Sequence, residues 1–160
     1  MENNESKYIK FTDVNFKNAL LKNKHLNPFN EVEIFISVAN AYEWTIDVEG
    51  ENIKSLDGIE HFPLITELDC SYNNLTTLDV SNNKLLKDLY CHNNELSKLD
   101  TSNNKALTEL WCGYNLLSSL NVGNNKDLAI LWCAGNNFSE KDKKQLEASL
   151  PKYCYIDWQD

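Results

Sequence analysis

The sequence predicts an α/β solenoid, a fold of stacked repeats, on three observations. Four segments align at a fixed 21-residue period, each carrying L-x-x-L-x-C-x-x-N-x-L or a close variant. Inside each segment, leucine and cysteine alternate with other residues at the period of a strand that buries one face. The segments on either side lack this pattern, and a solenoid needs such segments as caps for its apolar ends.

Residues 1–44 form the predicted helical cap at the N-terminus of the single domain, residues 1–160. Asp13 is the expected N-cap of a first helix, because its carboxylate can accept hydrogen bonds from the first free backbone N–H groups. The apolar residues of this helix are Phe16, Ala19, Leu20 and Leu21. A second helix is predicted over about residues 31–42.

Residues 45–138 form the predicted repeats. One unit cannot bury its apolar side alone, so stacked neighbours must share a core. An asparagine follows each strand and turns the chain, because Asn tolerates unusual dihedral angles and bonds to neighbouring backbone. Stacked asparagines can form a ladder that satisfies loop backbone groups. Residues that recur at the repeat period form columns across the stacked units. The cysteine column is Cys70, Cys91, Cys112 and Cys133, and the asparagine column is Asn73, Asn94, Asn115 and Asn136.

Each unit also contains a half-repeat of the same shape, as at residues 75–83, 96–104 and 117–125. In this the chain resembles short bacterial leucine-rich-repeat proteins with 21-residue units and nested 10- and 11-residue half-repeats. The resemblance covers roughly residues 45–138. It implies a right-handed leucine-rich-repeat solenoid with a parallel sheet on its concave face.

Residues 139–160 form the predicted C-terminal cap. Ser139 is the expected N-cap of a helix that carries Leu146 and Leu150 and stops at Pro151. A last strand near residues 153–157 is expected to close the edge of the sheet.

The cysteine column is interpreted as core packing rather than as a zinc or disulfide site. Neighbouring strands lie about 4.8 Å apart, so the column cysteines would all point inward, with no histidine on that side. Cysteine packs as a small hydrophobic residue. Cys154 follows Cys133 by one further repeat period, but its flanks do not match, so that spacing is a coincidence or at most one more inward residue.

A metal site is not expected, and no cofactor is implied. The cap of this repeat family often carries a D-x-N-x-D-G calcium loop, where this chain has residues 27–34. A working loop needs an oxygen ligand at position three and Gly at position six. Phe29 and Val32 stand there, so the loop looks degenerate.

Catalysis is not predicted either. The chain has no G-x-S-x-G motif and no papain-like cysteine motif. Of its three histidines, only His92 falls on the sheet, near Asp69, Asp88 and Glu109. Such a cluster could do acid–base work, but on an open, solvated sheet it is more often a surface feature.

The outward columns of the sheet carry the candidate binding residues. Acidic residues lie toward the N-terminal end of this face and aromatic residues toward the C-terminal end. Exposed aromatic patches mark interfaces, and Trp and Tyr are enriched among binding hot spots. The candidates are Glu67, Asp69, Tyr72, Asp88, Tyr90, His92, Glu109, Trp111, Tyr114 and Trp132.

Tyr90, Trp111 and Trp132 are the expected anchors, with Tyr72 and Tyr114 beside them, and the four acidic residues would steer a partner. A structural alternative stays open, in which the C-terminal cap or a second copy covers Trp132 or Trp111. The acidic residues could likewise be only a solvated face.

The predicted function is a protein-interaction module. The net charge is −9, from 24 acidic and 15 basic residues. This disfavours nucleic acid and anionic membranes and is compatible with a basic partner protein. The polar start lacks a secretory signal, which predicts a cytoplasmic protein, or a secreted or cell-surface one if a signal peptide has been removed.

Three alternatives remain. An immunity protein or inhibitor of a basic toxin or enzyme fits the small, acidic chain. A carbohydrate-binding surface protein fits aromatic platforms flanked by carboxylates. A structural or adhesion role within a larger assembly would need further copies of the domain.

Overall fold

The computed structural model describes residues 7–27 and 33–159. Within them, six strands form one sheet, and every neighbouring pair runs parallel in chain order. The strands are β1 (Ile46–Asp47), β2 (Glu67–Asp69), β3 (Asp88–Tyr90), β4 (Glu109–Trp111), β5 (Ile130–Trp132) and β6 (Tyr155–Asp157). The predicted α/β solenoid with a parallel sheet is confirmed.

The register of the sheet follows the sequence period. Leu68 pairs with Leu89, Leu89 with Leu110, and Leu110 with Leu131, so that each pair is separated by one repeat. The pairing of β5 with β6 differs, because Ile130 lies opposite Tyr155. These two residues are further apart in the sequence than one repeat period. Cys154 is therefore not in register with the cysteine column. It is half-buried and packs against the core, as one more inward residue.

The core lies behind the sheet and is built from its inward side chains. Leu68, Leu89, Leu110 and Leu131 have no exposed surface. Burying a leucine side chain contributes about 1.5–3 kcal/mol. The four column cysteines are buried free thiols, in agreement with the packing interpretation. Burial raises the pKa of each of these thiols, to about 12 for Cys133.

The predicted asparagine ladder is present at the end of the strands. In one rung, Asn94 Nδ2 donates to the carbonyls of Cys70 at 3.0 Å and Cys91 at 3.1 Å. Its Oδ1 accepts from the Leu75 N–H at 2.9 Å. The same pattern recurs at Asn73, Asn115 and Asn136. Each amide thus ties its own unit to the preceding one.

A second asparagine ladder runs through the half-repeats, at Asn83, Asn104 and Asn125. Asn104 Nδ2 donates to the carbonyls of Val80 at 2.8 Å and Asn83 at 2.9 Å. The Oδ1 atoms of Asn83 and Asn104 are buried without a hydrogen-bond partner among the described residues. In the Asn125 rung that atom does accept a hydrogen bond, from Thr101 Oγ1 at 3.0 Å.

The first cap helix is α1 (Val14–Leu21), and Asp13 caps it as predicted. Asp13 Oδ1 accepts from the N–H groups of Asn15 at 2.8 Å and Phe16 at 3.1 Å. Its Oδ2 accepts from the Lys54 N–H at 2.7 Å and the Ser55 N–H at 3.3 Å. One carboxylate therefore both starts the helix and attaches the cap to the repeats.

The second cap helix, α2 (Ile36–Asn40), is shorter than predicted. Residues 28–32 lie outside the described part of the chain, so the predicted start at about residue 31 lies there too. From residue 33 to Phe35 the helix prediction is wrong. Phe35 has extended dihedral angles and forms an antiparallel bridge with Tyr8, while the Ile36 N–H donates to the Lys7 carbonyl at 3.0 Å.

The C-terminal cap is α3 (Glu140–Ser149) followed by β6. Ser139 caps the helix in a capping box with Asp142. Leu150 is extended, as expected of the residue before Pro151. Strand β6 closes the edge of the sheet as predicted. None of the helices in the described part of the chain has the length and apolar character of a membrane span.

Candidate functional site

The predicted site residues on the strands lie on the side of the sheet turned away from the core, here called the outer sheet face. Six of the ten carry rings that touch one another in one continuous group, the ring cluster. Its members are Tyr72, Tyr90, His92, Trp111, Tyr114 and Trp132. The other four carry carboxylates: Glu67, Asp69, Asp88 and Glu109.

The predicted anchors stand side by side on three neighbouring strands. Tyr90 lies opposite Trp111, and Trp111 opposite Trp132. Their ring centroids are 5.8 Å and 5.5 Å apart, both in edge-to-face geometry. Aromatic pairs in this arrangement contribute about 0.5–1.5 kcal/mol beyond the area they bury. The cluster therefore holds its own rings in fixed positions.

His92 lies at the centre of the cluster because the neighbouring repeat unit has a glycine at the equivalent position, just after β4. Gly113 follows Trp111 at the position that His92 has one unit earlier. A Cβ atom on Gly113 would lie 3.1 Å from the Trp132 ring. With no side chain there, Trp132 reaches across β4 to His92, at 5.3 Å between centroids. The sequence columns did not predict this contact, since they compare only neighbouring strands.

Two tyrosines of the cluster have a backbone conformation that favours glycine or asparagine. Tyr72, Asn93 and Tyr114 have φ angles of 53°, 53° and 50°, in the left-handed region. This conformation costs roughly 1–2 kcal/mol for most residues, and less for Gly and Asn. Tyr72 and Tyr114 are also 56% and 39% exposed. The exposure and the strained backbone of both tyrosines favour a functional reason for them.

Tyr90, Trp111 and Trp132 are half-buried rather than fully open. Trp132 Nε1 donates to the Gln159 carbonyl at 3.3 Å, so the C-terminal segment covers part of that ring. Trp111 Nε1 and His92 Nδ1 are buried and have no hydrogen-bond partner among the described residues. A buried, unpaired polar group costs about 1–3 kcal/mol. Trp111 and His92 are thus not the best residues for stability alone.

Three of the acidic residues form a row across neighbouring strands, here called the acidic row: Glu67, Asp88 and Glu109. Each is held by a neutral donor. Thr45 Oγ1 donates to Glu67 at 2.9 Å, Thr108 Oγ1 to Asp88 at 2.9 Å, and the Tyr90 hydroxyl to Glu109 at 3.4 Å.

Asp69 is the next outward-facing residue after Glu67 on β2, and it accepts from the Ser71 hydroxyl at 2.6 Å. None of the four carboxylates forms an ion pair with a described residue. The outer sheet face therefore carries negative charge that the described part of the fold does not neutralise.

The ionisable rings of Tyr90 and His92 are both shifted. Burial, together with the charges of Glu109, Asp88 and Glu67, raises the pKa of Tyr90 to about 12. Burial lowers the pKa of His92 below its ordinary value, against the opposing effect of Asp69 and Glu49. The lowered pKa favours the neutral form of the His92 ring. Its Nδ1 is buried and has no hydrogen-bond partner among the described residues, so that nitrogen is not accessible to a substrate.

Similar solved structures come from bacteria. The functional domain of InlJ from Listeria monocytogenes, which includes a cysteine ladder, aligns over 80% of this chain and 34% of its own, with 26% identity and a TM-score of 0.60. A leucine-rich-repeat protein of Leptospira interrogans aligns over 66% of this chain and 28% of its own, with 31% identity and a TM-score of 0.62.

The chain is a leucine-rich-repeat protein. An internalin from Listeria monocytogenes, InlF, adds agreement in fold alone, over 92% of this chain and 52% of its own, with 18% identity and a TM-score of 0.67. The chain spans about a third or less of the first two structures. No protein-family model matches the sequence, and no curated protein matches it. The class with nested half-repeats stays a prediction.

Two residues extend the outer sheet face of this leucine-rich-repeat protein beyond the predicted set. Tyr155 lies opposite Ile130, and Asp157 opposite Trp132. Tyr155 is 63% exposed. The repeat period could not place them, because β6 follows a helix and its offset is longer than the period. The alternation of Cys154 and Ile156 with Tyr155 and Asp157 was the available signal.

One group among the described residues could hold a metal ion. The carboxylates of Asp47, Glu49 and Asp69 have oxygens within 4.8 Å of one another at the N-terminal end of the outer sheet face. Exposed acidic groups are common without an ion, and nothing else at this place indicates a ligand. Most of the segment that was compared with a calcium loop, at residues 28–32, lies outside the described residues.

Proposed function

We propose that this leucine-rich-repeat protein is a protein-interaction module whose partner protein docks on the outer sheet face. The observation that supports this most is the ring cluster: six touching rings, partly exposed, on a parallel sheet beside unneutralised carboxylates. Similarity to other leucine-rich-repeat proteins supports the same class of function. A binding role needs no catalytic residue and no cofactor.

Preorganisation supports the proposal. The rings of Tyr90, Trp111 and Trp132 are held by each other and by the sheet, so a partner would not have to order them. Ordering one flexible side chain at an interface costs about 0.5–1.5 kcal/mol. Tyr72 and Tyr114 stand at the exposed margin of the cluster and add contact area there.

The charge of the surface supports a basic partner protein rather than nucleic acid or an anionic membrane. The acidic row and Asp69 would repel phosphate groups and attract Lys and Arg side chains. An inhibitor or immunity protein that blocks a basic toxin or enzyme is a narrower form of the same proposal. The compartment stays a prediction: cytoplasmic, or secreted or cell-surface if a signal peptide has been removed.

A pull-down from lysate of the source organism tests this function. The bait is compared with the double variant Trp111→Ala, Trp132→Ala, after thermal unfolding has shown that both are folded. Each anchor is expected to contribute about 2 kcal/mol, so the double change should weaken binding about a hundredfold or more.

The matched control is Trp44→Ala with Tyr153→Ala. It also removes two exposed aromatic side chains, which are 59% and 85% exposed and lie outside the ring cluster. A protein retained by wild type and control but lost by the cluster variant supports the proposal. A protein retained equally by all three baits would place the interface elsewhere.

A further inference from the structure

The acidic row carries an unfavourable arrangement of charge. Glu67 lies directly opposite Asp88, and Asp88 directly opposite Glu109, on strands about 4.8 Å apart. Like charges opposite each other destabilise a sheet. The donors that hold these carboxylates are all neutral hydroxyls, from Thr45, Thr108 and Tyr90. The fold therefore fixes the carboxylates in place without neutralising them.

The rings and the carboxylates meet at one patch on two strands. Asp88 and Tyr90 lie on β3, directly opposite Glu109 and Trp111 on β4. The Tyr90 hydroxyl donates to Glu109 at 3.4 Å. The pKa of Tyr90 is raised first by burial and then by the negative charges of Glu109, Asp88 and Glu67 around that hydroxyl. The patch thus joins a half-buried aromatic face to the two fixed negative charges of Asp88 and Glu109.

A guanidinium group matches this patch better than an ammonium group does. It is planar, so it can stack on an aromatic ring, and its five N–H groups form a fork that can reach more than one carboxylate oxygen. A lysine ammonium is a compact, strongly hydrated charge that satisfies only the electrostatic part. All fifteen basic residues of this chain are lysines, so the chain itself supplies no guanidinium.

We propose that the patch formed by Asp88, Tyr90, Glu109 and Trp111 receives the guanidinium of an arginine side chain from the partner protein. The guanidinium stacks on the Tyr90 ring and donates hydrogen bonds to the Asp88 and Glu109 carboxylates. This inference rests on the proposed function for the identity of the donor. The recognition of arginine itself can be measured without the partner.

The test uses hexa-arginine and hexa-lysine peptides of equal charge, titrated into the full chain and followed by NMR at the indole N–H signals. The chain has four tryptophans, which gives internal controls. Trp111 and Trp132 belong to the ring cluster. Trp44 stacks on His25, and Trp158 packs against Phe138, so these two report on binding elsewhere.

Hexa-arginine should shift the Trp111 and Trp132 signals and leave those of Trp44 and Trp158 in place. It should bind about tenfold or more tightly than hexa-lysine, because stacking adds to charge pairing. Equal binding of the two peptides would mean that the surface attracts any positive charge without preferring arginine, and it would overturn the inference. The same holds if neither peptide shifts the Trp111 and Trp132 signals.

Two variants separate the parts of the patch. Asp88→Asn with Glu109→Gln removes the charges but keeps oxygens that can accept from Thr108 and Tyr90, and it should abolish the preference for arginine. Tyr90→Leu should bring hexa-arginine binding down to about the level of hexa-lysine. The control Asp100→Asn with Asp127→Asn removes two exposed charges outside the patch and should keep the preference.

The outcomes separate this inference from the proposed function. If retention of the partner protein requires Trp111 and Trp132 while the two peptides bind equally, the proposed function is supported and the arginine inference is wrong. If the variants remove an arginine preference while the partner is retained by every bait, the patch recognises guanidinium but the proposed docking surface for that partner is wrong.

Discussion

At the scale of single residues, the asparagine ladder of the half-repeats leaves two buried amide oxygens without a hydrogen-bond donor among the described residues, and in a third rung a threonine supplies that donor. Thr101 donates to the buried Oδ1 of Asn125 at 3.0 Å. The equivalent residue one unit earlier is Val80, which leaves the Oδ1 of Asn104 without a partner among the described residues. The same residue type recurs at Val122, but the repeats end before α3, and the residue that follows Asn125 by one period is Leu146 of that helix, not an asparagine. The chain therefore offers a matched set of positions.

Val80→Thr should be close to neutral or stabilising, because the new hydroxyl can donate to Asn104. Val122→Thr is the control, and it should cost about 1–3 kcal/mol, since a buried hydroxyl finds no equivalent asparagine. Thr101→Val should cost about 1–2 kcal/mol by leaving the Asn125 oxygen unpaired. Urea unfolding of the three variants measures these differences. Equal destabilisation by the two threonine variants would contradict the ladder as described.

At the scale of elements, the caps and strands differ in how far the sequence could predict them. The helix that starts after Asp13 and the helix that starts after Ser139 were predictable, because N-cap chemistry is local. The segment from residue 33 to Phe35 was not, since its pairing with Tyr8 is a tertiary contact between distant parts of the sequence. The offset of β6 was hidden for a related reason: a helix interrupts the period.

Asp13→Ala should destabilise the protein more than Ser139→Ala, although both remove an N-cap. Losing a cap costs about 0.5–2 kcal/mol. Asp13 also accepts from the Lys54 and Ser55 N–H groups, which attach the cap to the first repeat. Ser139 acts within α3 alone, through Asp142. Thermal unfolding compares the two variants, and an equal loss of stability would argue against the joining role of Asp13.

The pH dependence of the same contact has a defined sign. Burial raises the pKa of Asp13, but the backbone hydrogen bonds from Lys54, Phe16, Asn15 and Ser55 outweigh it, so the net pKa is lowered. The stability from this carboxylate is present above its unfolded pKa, about 3.9, and is lost as pH falls through the lowered folded value. Asp13→Ala should therefore show a weaker acid destabilisation than wild type, which urea unfolding across a pH series measures.

At the scale of the whole molecule, the fold could be predicted from the repeat in the sequence. The ring contacts on the outer sheet face could be predicted only in part. The columns placed Tyr90, Trp111 and Trp132 side by side, because strand alternation and a constant repeat period determine neighbours. They did not place His92 against Trp132, which depends on the missing side chain of Gly113. The binding role itself stays a proposal.

The central claim is that the ring cluster serves binding rather than stability, and one double variant tests it most directly. Tyr72→Asn with Tyr114→Asn puts at both positions the residue that Asn93 already provides in the same left-handed conformation. The account predicts a melting temperature close to that of wild type, since asparagine tolerates this conformation better than tyrosine and this gain offsets the lost ring contacts with His92 and Trp132.

The affinity of the same variant for the captured partner protein, measured by calorimetry, should fall at least about tenfold, because two contact tyrosines are gone. A stable variant with weakened binding is the predicted result. Unchanged affinity in a folded variant would contradict the account, and so would a clear loss of stability, since the exposed tyrosines would then be structural.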